Sequence, residues 1–160
     1  MRHRNYIEGR TPGPEKPPAG DFDYEVHGGG YATKRRADPR IAALVHGALG
    51  DALTVINVGA GAGSYEPRDR YVVAVEPSAT MRAQRLDKAP PALDAAAERL
   101  PFDAGSFDAS MACITIHQWA DVHAGLRELR RVAQGPVVIL TFDAQALEGF
   151  WLFDYFPVHR

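Results

Sequence analysis

Gly59-Ala60-Gly61-Ala62-Gly63 places a glycine at every second position, directly after the β-branched run Thr54-Val55-Ile56-Asn57-Val58. Lacking Cβ atoms, such a turn bends sharply and lets backbone approach a ligand, and amides at the start of a following helix can meet a carboxylate or phosphate. A tight turn that holds nothing needs the same glycines. Seventeen residues after Gly59, Glu76 ends a second apolar run, Tyr71-Val72-Val73-Ala74-Val75. A carboxylate at a strand tip can accept hydrogen bonds from both vicinal hydroxyls of a ribose; an ordinary surface glutamate is the plain alternative. His117 follows a third apolar run. It is the best candidate in the chain for a general base toward a hydroxyl, or it simply packs and positions a ligand. Trp119 reads equally as a wall of a site or as core.

Other chemistries find no support. Cys113 is the only cysteine, so no internal disulfide and no Cys-based zinc pattern exist, and its spacing from His117 and His123 matches no familiar metal site. Neither a G-x-S-x-G nucleophile elbow nor a Walker phosphate loop is present. A strict dinucleotide fingerprint, G-x-G-x-x-G, fails at Ser64, which leaves an NAD(P)-binding protein as a distant alternative.

These residues need elements to hold them. Asp38-Pro39 is a helix cap with proline at the first helical position, followed by Ile41, Leu44, Val45, Ala48 and Leu49 at helical spacing and Gly50 as a stop. Strands are expected at residues 54–58 and 71–75. Ser78 caps a helix through Met81 to about Leu86, where Pro90-Pro91 forbids continuation. Residues 93–98 form an alanine-dominated strand candidate, and 107–116 a strand buried on both faces. Asp121 caps a helix with Val122, Leu126, Leu129 and Ala133 on one face, and Gly135-Pro136 ends it. Residues 137–142 form the last strand, after which Asp143 leads into the aromatic cluster Phe150, Trp151, Phe153, Tyr155 and Phe156. Alternating strands and helices specify an α/β layer fold with a mainly parallel sheet.

The chain has 160 residues, 46% hydrophobic and 24% charged, with a net charge of −2. That is one soluble-class domain without the global basic field that nucleic acid or anionic lipid would require. No apolar run reaches the roughly 18 residues of a membrane span, and the polar, Pro-rich start lacks a secretory h-region, so the cytoplasm is the expectation. Residues 1–30 carry ten Pro+Gly and read as a flexible arm, with the core in 31–160. Ile7-Glu8-Gly9-Arg10 coincides with a cleavage sequence used in recombinant expression, so part of the arm is native or vector-derived. Lys34-Arg35-Arg36 with Arg40 reads as a solvated face.

In combination the motifs resemble the class I S-adenosylmethionine-dependent methyltransferases that act on small molecules. The glycine turn is similar to their first motif, Val75-Glu76-Pro77-Ser78 with Met81 to the second, and Leu100-Pro101-Phe102 with Ser106-Phe107-Asp108 to the LPF-x-x-x-SFD stretch before the fourth strand. His117-Gln118-Trp119 and Arg127-Glu128-Leu129-Arg130-Arg131-Val132 also sit where that family carries similar residues. The resemblance implies a Rossmann-like three-layer sandwich with strand order 3-2-1-4-5, the family's last two strands lying beyond what this chain supplies. It implies that Gly59, Gly61 and Gly63 border the methionine moiety of the cofactor, Glu76 with Pro77 holds the ribose, Met81 packs near the adenine with Ala97 and Glu98 beside it, and Tyr31 closes over the cofactor. Asn57 stands where an acid is commoner, though its amide still accepts a hydrogen bond, and Ala96 stands where many members contact the adenine with Asp. His117 would face the transferred methyl. S-adenosylmethionine is the implied cofactor, no metal is implied, and the acceptor would be a small molecule, with neither nucleic acid nor membrane as partner. An unpaired strand at 137–142 favours the alternative of a non-catalytic or truncated cofactor-binding module, its edge covered by a partner or a second copy.

Overall fold

A computed structural model of the chain describes residues 37–85 and 89–143. Helix α1 spans Pro39–Ala48, with Asp38 accepting from the Arg40 amide at 2.8 Å as its N-cap. Strand β1 (Thr54–Val58) and strand β2 (Tyr71–Val75) follow. Then come the short helix α2 (Ala79–Arg82), strand β3 (Ala92–Leu93), strand β4 (Ala109–Cys113), a 3-10 turn at Ile116–Gln118, helix α3 (Val122–Val132) and strand β5 (Val137–Leu140). The five strands form one sheet in the order β3-β2-β1-β4-β5, every pairing parallel, as the sequence led us to expect.

Both faces of the sheet are covered, which is why its central strands are mostly apolar. On one face Ile56, Val58, Val75 and Ala112 pack with Leu129 and Val132 of α3 and with Phe107 and Leu100. On the other, Val55, Ala109 and Met111 meet Val45 of α1 and Leu49 at its C-cap. Alternate residues of β1 thus serve opposite layers. Leu44 departs from the expected apolar face: it is 75% exposed, because the helix row that meets the sheet runs through Ile41, Val45 and Leu49 instead.

The stretch from Leu100 to Asp108 is structural in a definable way. Asp108 Oδ2 accepts from the amides of Leu53 and Thr54 and from Thr54 Oγ1, joining the starts of β1 and β4, and these bonds hold its carboxyl below the usual range. Phe102 and Phe107 pack edge to face at 5.0 Å. Arg131 donates to the carbonyls of Leu100 and Phe102 and pairs with Glu128, which accepts from the Leu100 amide. The two sequence motifs at 100–108 and 127–132 therefore brace each other.

Several elements differ from expectation. No helix lies in residues 59–70; β1 and β2 are joined by turns alone, about the least a parallel crossover can use. With Gly59, Gly61, Gly63 and Pro67 in twelve residues, the segment has too little helix propensity to form one. Strand β3 is two residues at 92–93, not 93–98, because the alanines after it bring little side chain to a sheet face. Helix α2 ends at Arg82 and its last turn tightens, Arg85 N donating to Arg82 O at 3.2 Å; Leu86 lies outside the described residues. Strand β4 stops at Cys113 because Ile114 turns to φ +54°, and Phe107 only bridges to Ala133. Ala133 ends α3 in extended backbone, and β5 stops at Leu140, with Phe142 exposed. The arm at 1–30, Tyr31, Lys34-Arg35-Arg36 and the aromatic cluster at 150–156 lie outside the described residues.

Candidate functional site

A parallel sheet gathers its strand ends on one edge, and there the structure brings together the glycine turn after β1, Glu76 after β2 and the 114–119 segment after β4. The turn is anchored through Gly59 and Ala60, whose amides both donate to Val75 O at 2.8 and 3.0 Å. All three alternate glycines have positive φ, at +69°, +52° and +92°, a region that strains any other residue but Asn or Asp. Their missing side chains are needed by the protein itself. A Cβ on Gly59 would overlap Thr115 Oγ1 and lie 2.8 Å from Thr115 Cβ and Cγ2. One on Gly61 would come within 3.2 Å of Met81 Cε, and one on Gly63 within 3.1 Å of Glu66 Oε2. The helix start that would present further amides to an anion is not there, since residues 59–70 hold no helix.

Glu76 is 8% exposed. Its Oε2 accepts from Gly61 N at 2.8 Å and its Oε1 from Ser78 N at 2.9 Å, so the carboxylate is fixed by both flanking turns while each oxygen retains a further acceptor position. Burial pushes its acidity toward weaker acid, against the opposing pull of the Ser78 and Gly61 amides and of the Arg82 and Arg85 charges. Arg82 donates to the Glu76 and Pro77 carbonyls at 2.7 and 2.8 Å and pairs with Asp94 at 3.2 Å, which locks the β2 tip to the start of the following turn and to the end of β3.

The remaining expected residues divide. Met81 is buried beneath Gly61, so it backs the turn. Ala97 lies in the apolar core with Ile56 and Val75. Glu98 accepts from the Asp121 amide at 3.1 Å and so steadies the approach to α3. His117 is exposed in the 3-10 turn after β4, its ring 6.3 Å from that of Phe142 beyond β5. Trp119 packs against the core and over Gly125 of α3. Cys113 is a neutral thiol: burial, helped by the nearby Glu66 charge, pushes its pKa up to about 12. Among the described residues no three His, Cys, Asp or Glu side chains converge as a metal site. A shallow hollow lined by Leu49, Leu53, Asp108 and Pro136 lies at the opposite edge, by the strand starts, away from these groups.

Two residues that the sequence reading passed over belong here. Glu66 and Arg85 form an ion pair at 2.8 Å with side chains only 8% and 4% exposed, and Asn57 Nδ2 donates to Glu66 Oε1 at 3.0 Å. Arg85 also donates to Pro90 O, at 2.9 Å, and to Gly61 O. Their separation of nineteen positions follows no motif; Glu66 as an acid inside a Gly- and Pro-rich turn was the only signal. Thr115, pressed against Gly59, was likewise missed, because a φ of +54° at a β-branched residue such as Ile114 is not foreseeable from sequence.

A family model described as a methyltransferase domain matches residues 56–139, which span the glycine turn and Glu76 and reach into β5. Among solved structures the chain is similar to a protein of Anabaena variabilis described as a methyltransferase from an antibiotic biosynthesis pathway, at 31% identity and TM-score 0.70 over 77% of this chain and 53% of that one. It is also similar in fold to a SAM-dependent methyltransferase of Thermotoga maritima (24% identity, TM-score 0.63, 72% of this chain and 58% of that one). A SAM-dependent methyltransferase of Aquifex aeolicus shares the fold at 22% identity and TM-score 0.54, over 71% of this chain and 68% of that one. The chain thus spans little more than half the length of the first two. No curated protein sequence matches it. Sheet order, glycine turn and matched segment coincide: the chain belongs to the methyltransferase domain family.

Proposed function

We propose that the chain binds S-adenosylmethionine at the strand tips and transfers its methyl group to a small-molecule acceptor. The observation that carries this reading is Glu76, a buried carboxylate held by the Gly61 and Ser78 amides with acceptor capacity to spare, which suits the two hydroxyls of a ribose. A second observation fits the cofactor's amino-acid end: Asn57 Oδ1 is buried and has no partner among the described residues. When bound, S-adenosylmethionine supplies an activated methyl group and a neutral leaving group. The protein's own tasks are to hold the acceptor in line and to exclude water. His117, exposed after β4, takes the proton when the acceptor is a hydroxyl, or positions it otherwise. Gly59, Gly61, Gly63, Pro77, Met81, Ala97 and Glu98 shape or back the site.

Calorimetric titration with S-adenosylhomocysteine tests the reading. Binding in the micromolar range that Glu76→Ala weakens by about tenfold or more supports it; no heat at high micromolar concentration overturns it. A second reading is favoured by β5, which among the described residues ends the sheet and whose Ile139 and following Phe142 are exposed: a cofactor-binding module that transfers nothing until a partner or second copy completes it. Cofactor binding without methylation of any compound in an extract would decide for that reading. Among the described residues no helix is long and apolar enough to cross a membrane.

A further inference from the structure

The turn after β1 joins three glycines, each with wide backbone freedom, to a connection that has no helix whose hydrogen bonds could fix it. A side-chain clamp takes that part. Arg85, which follows α2, spreads its guanidinium over three partners: Nη2 reaches both Glu66 oxygens at 3.0 and 2.8 Å, Nη1 the Gly61 carbonyl at 3.3 Å, and Nε the Pro90 carbonyl at 2.9 Å. One buried side chain thus ties the glycine turn to the β1–β2 connection and to the approach to β3. A Cβ on Gly63 would lie 3.1 Å from Glu66 Oε2 and 3.4 Å from Arg85 Nη1, so the third glycine makes room for the clamp.

Gly61 is held on both sides. Its amide donates to Glu76 Oε2 at 2.8 Å, and its carbonyl accepts from Arg85. Burial pushes Glu76 toward weaker acid, and the Arg85 charge is among the groups that oppose this. Released from Arg85, a residue without a Cβ is free to leave φ +52°, and its amide then swings away from the carboxylate.

We propose that Arg85, gripped by Glu66, is a positioning residue for cofactor binding: it fixes the carbonyl side of Gly61 so that the Gly61 amide keeps Glu76 aimed at the ribose. This deepens the S-adenosylmethionine reading and rests on it. The planar fork is what the role needs, since an ammonium is a point charge and cannot serve acceptors in three fixed directions. The clamp supplies from two side chains the rigidity that the missing helix would otherwise give the turn.

Breaking a buried ion pair costs stability whatever its role, so the test reads recognition of the ribose instead. Calorimetric titrations of the 160-residue chain compare 5′-methylthioadenosine with its 2′,3′-dideoxy analogue, which lacks both hydroxyls. The unsubstituted chain should prefer the ribose by about tenfold or more. The double variant Glu66→Gln with Arg85→Met removes the clamp and leaves neither charge buried alone; its preference should fall to within about twofold. Arg85→Lys keeps the charge opposite Glu66 but loses the fork, and should cut the preference at least about threefold; it decides the matter should the double variant not fold. A preference that survives in the folded variants, whether both probes weaken equally or neither weakens, would show a merely structural ion pair and overturn this proposal alone. If the unsubstituted chain binds neither probe, or binds both equally, the reading of Glu76 as the ribose site falls and this one with it.

Discussion

Gly59→Ala and Gly61→Ala are the same substitution at two residues two positions apart, and the structure assigns them different costs. Both residues lie in the left-handed region, at +69° and +52°. Alanine there costs about 1–2 kcal/mol, offset by roughly 0.4–1 kcal/mol from the lower entropy of the unfolded chain. At Gly61 the new methyl meets only Met81 Cε at 3.2 Å, the end of a flexible side chain that can move aside. The net loss expected there is about 1 kcal/mol. At Gly59 the methyl collides with the Thr115 side chain, whose Cβ and Cγ2 would stand 2.8 Å away and whose backbone follows the positive φ of Ile114. Such overpacking adds about 1–3 kcal/mol, for a total near 2–4 kcal/mol. Urea melts of both variants read the difference directly, and at roughly 4 °C per kcal/mol the melting temperatures should separate by about 4–12 °C. Thr115→Ala in the Gly59→Ala background removes Oγ1 and Cγ2 and should restore part of the loss, the coupling appearing in the double-mutant cycle. Equal losses at 59 and 61, or no recovery with Thr115→Ala, would refute the view that the protein's own packing demands a glycine at 59.

Gly125→Ala should destabilise the chain although it replaces glycine within a helix, where alanine ordinarily gains about 1 kcal/mol. A Cβ there would lie 2.6 Å from Trp119 Cζ3 and closer still to Cε3; a variant as stable as wild type in chemical denaturation would show that Trp119 is free to move. Asp108→Asn should lower the melting temperature at neutral pH and matter progressively less as the solution is acidified. The folded-state acidity of Asp108 is strengthened by the Thr54 and Leu53 hydrogen bonds, so its contribution is present above the unfolded value and is lost as pH falls through the depressed one. A pH-independent difference between variant and wild type would contradict that assignment.

The sequence was legible where local chemistry and periodicity agree. Caps at Asp38, Ser78 and Asp121 each accept the amide bond that their residue type advertises. The apolar runs of β1, β2 and β4 announced strands, and the glycine turn and Glu76 lie together at the strand tips as the order of the elements implied. Boundaries were less legible. Ile114, Ala133 and the alanines after β3 end or withhold regular structure for reasons of strain and packing that a one-dimensional pattern does not carry.

By itself, then, the sequence determined the alternation of strands and helices in an α/β layer fold and the carboxylate at the second strand's tip, because each follows from periods of 2 and 3.6 residues and from the backbone needs of glycine and proline, whereas the strand order was implied only by the resemblance of its motifs. Tertiary structure alone decided the rest. It set Arg85 against Glu66 across nineteen positions and turned Asn57 so that one side of its amide is bound and the other left open. It also pressed Thr115, just past the end of β4, onto Gly59 at the end of the neighbouring β1. Such meetings depend on which side chains the parallel pairing of β1 with β2 and β4 brings to one edge, and no spacing along the chain encodes them.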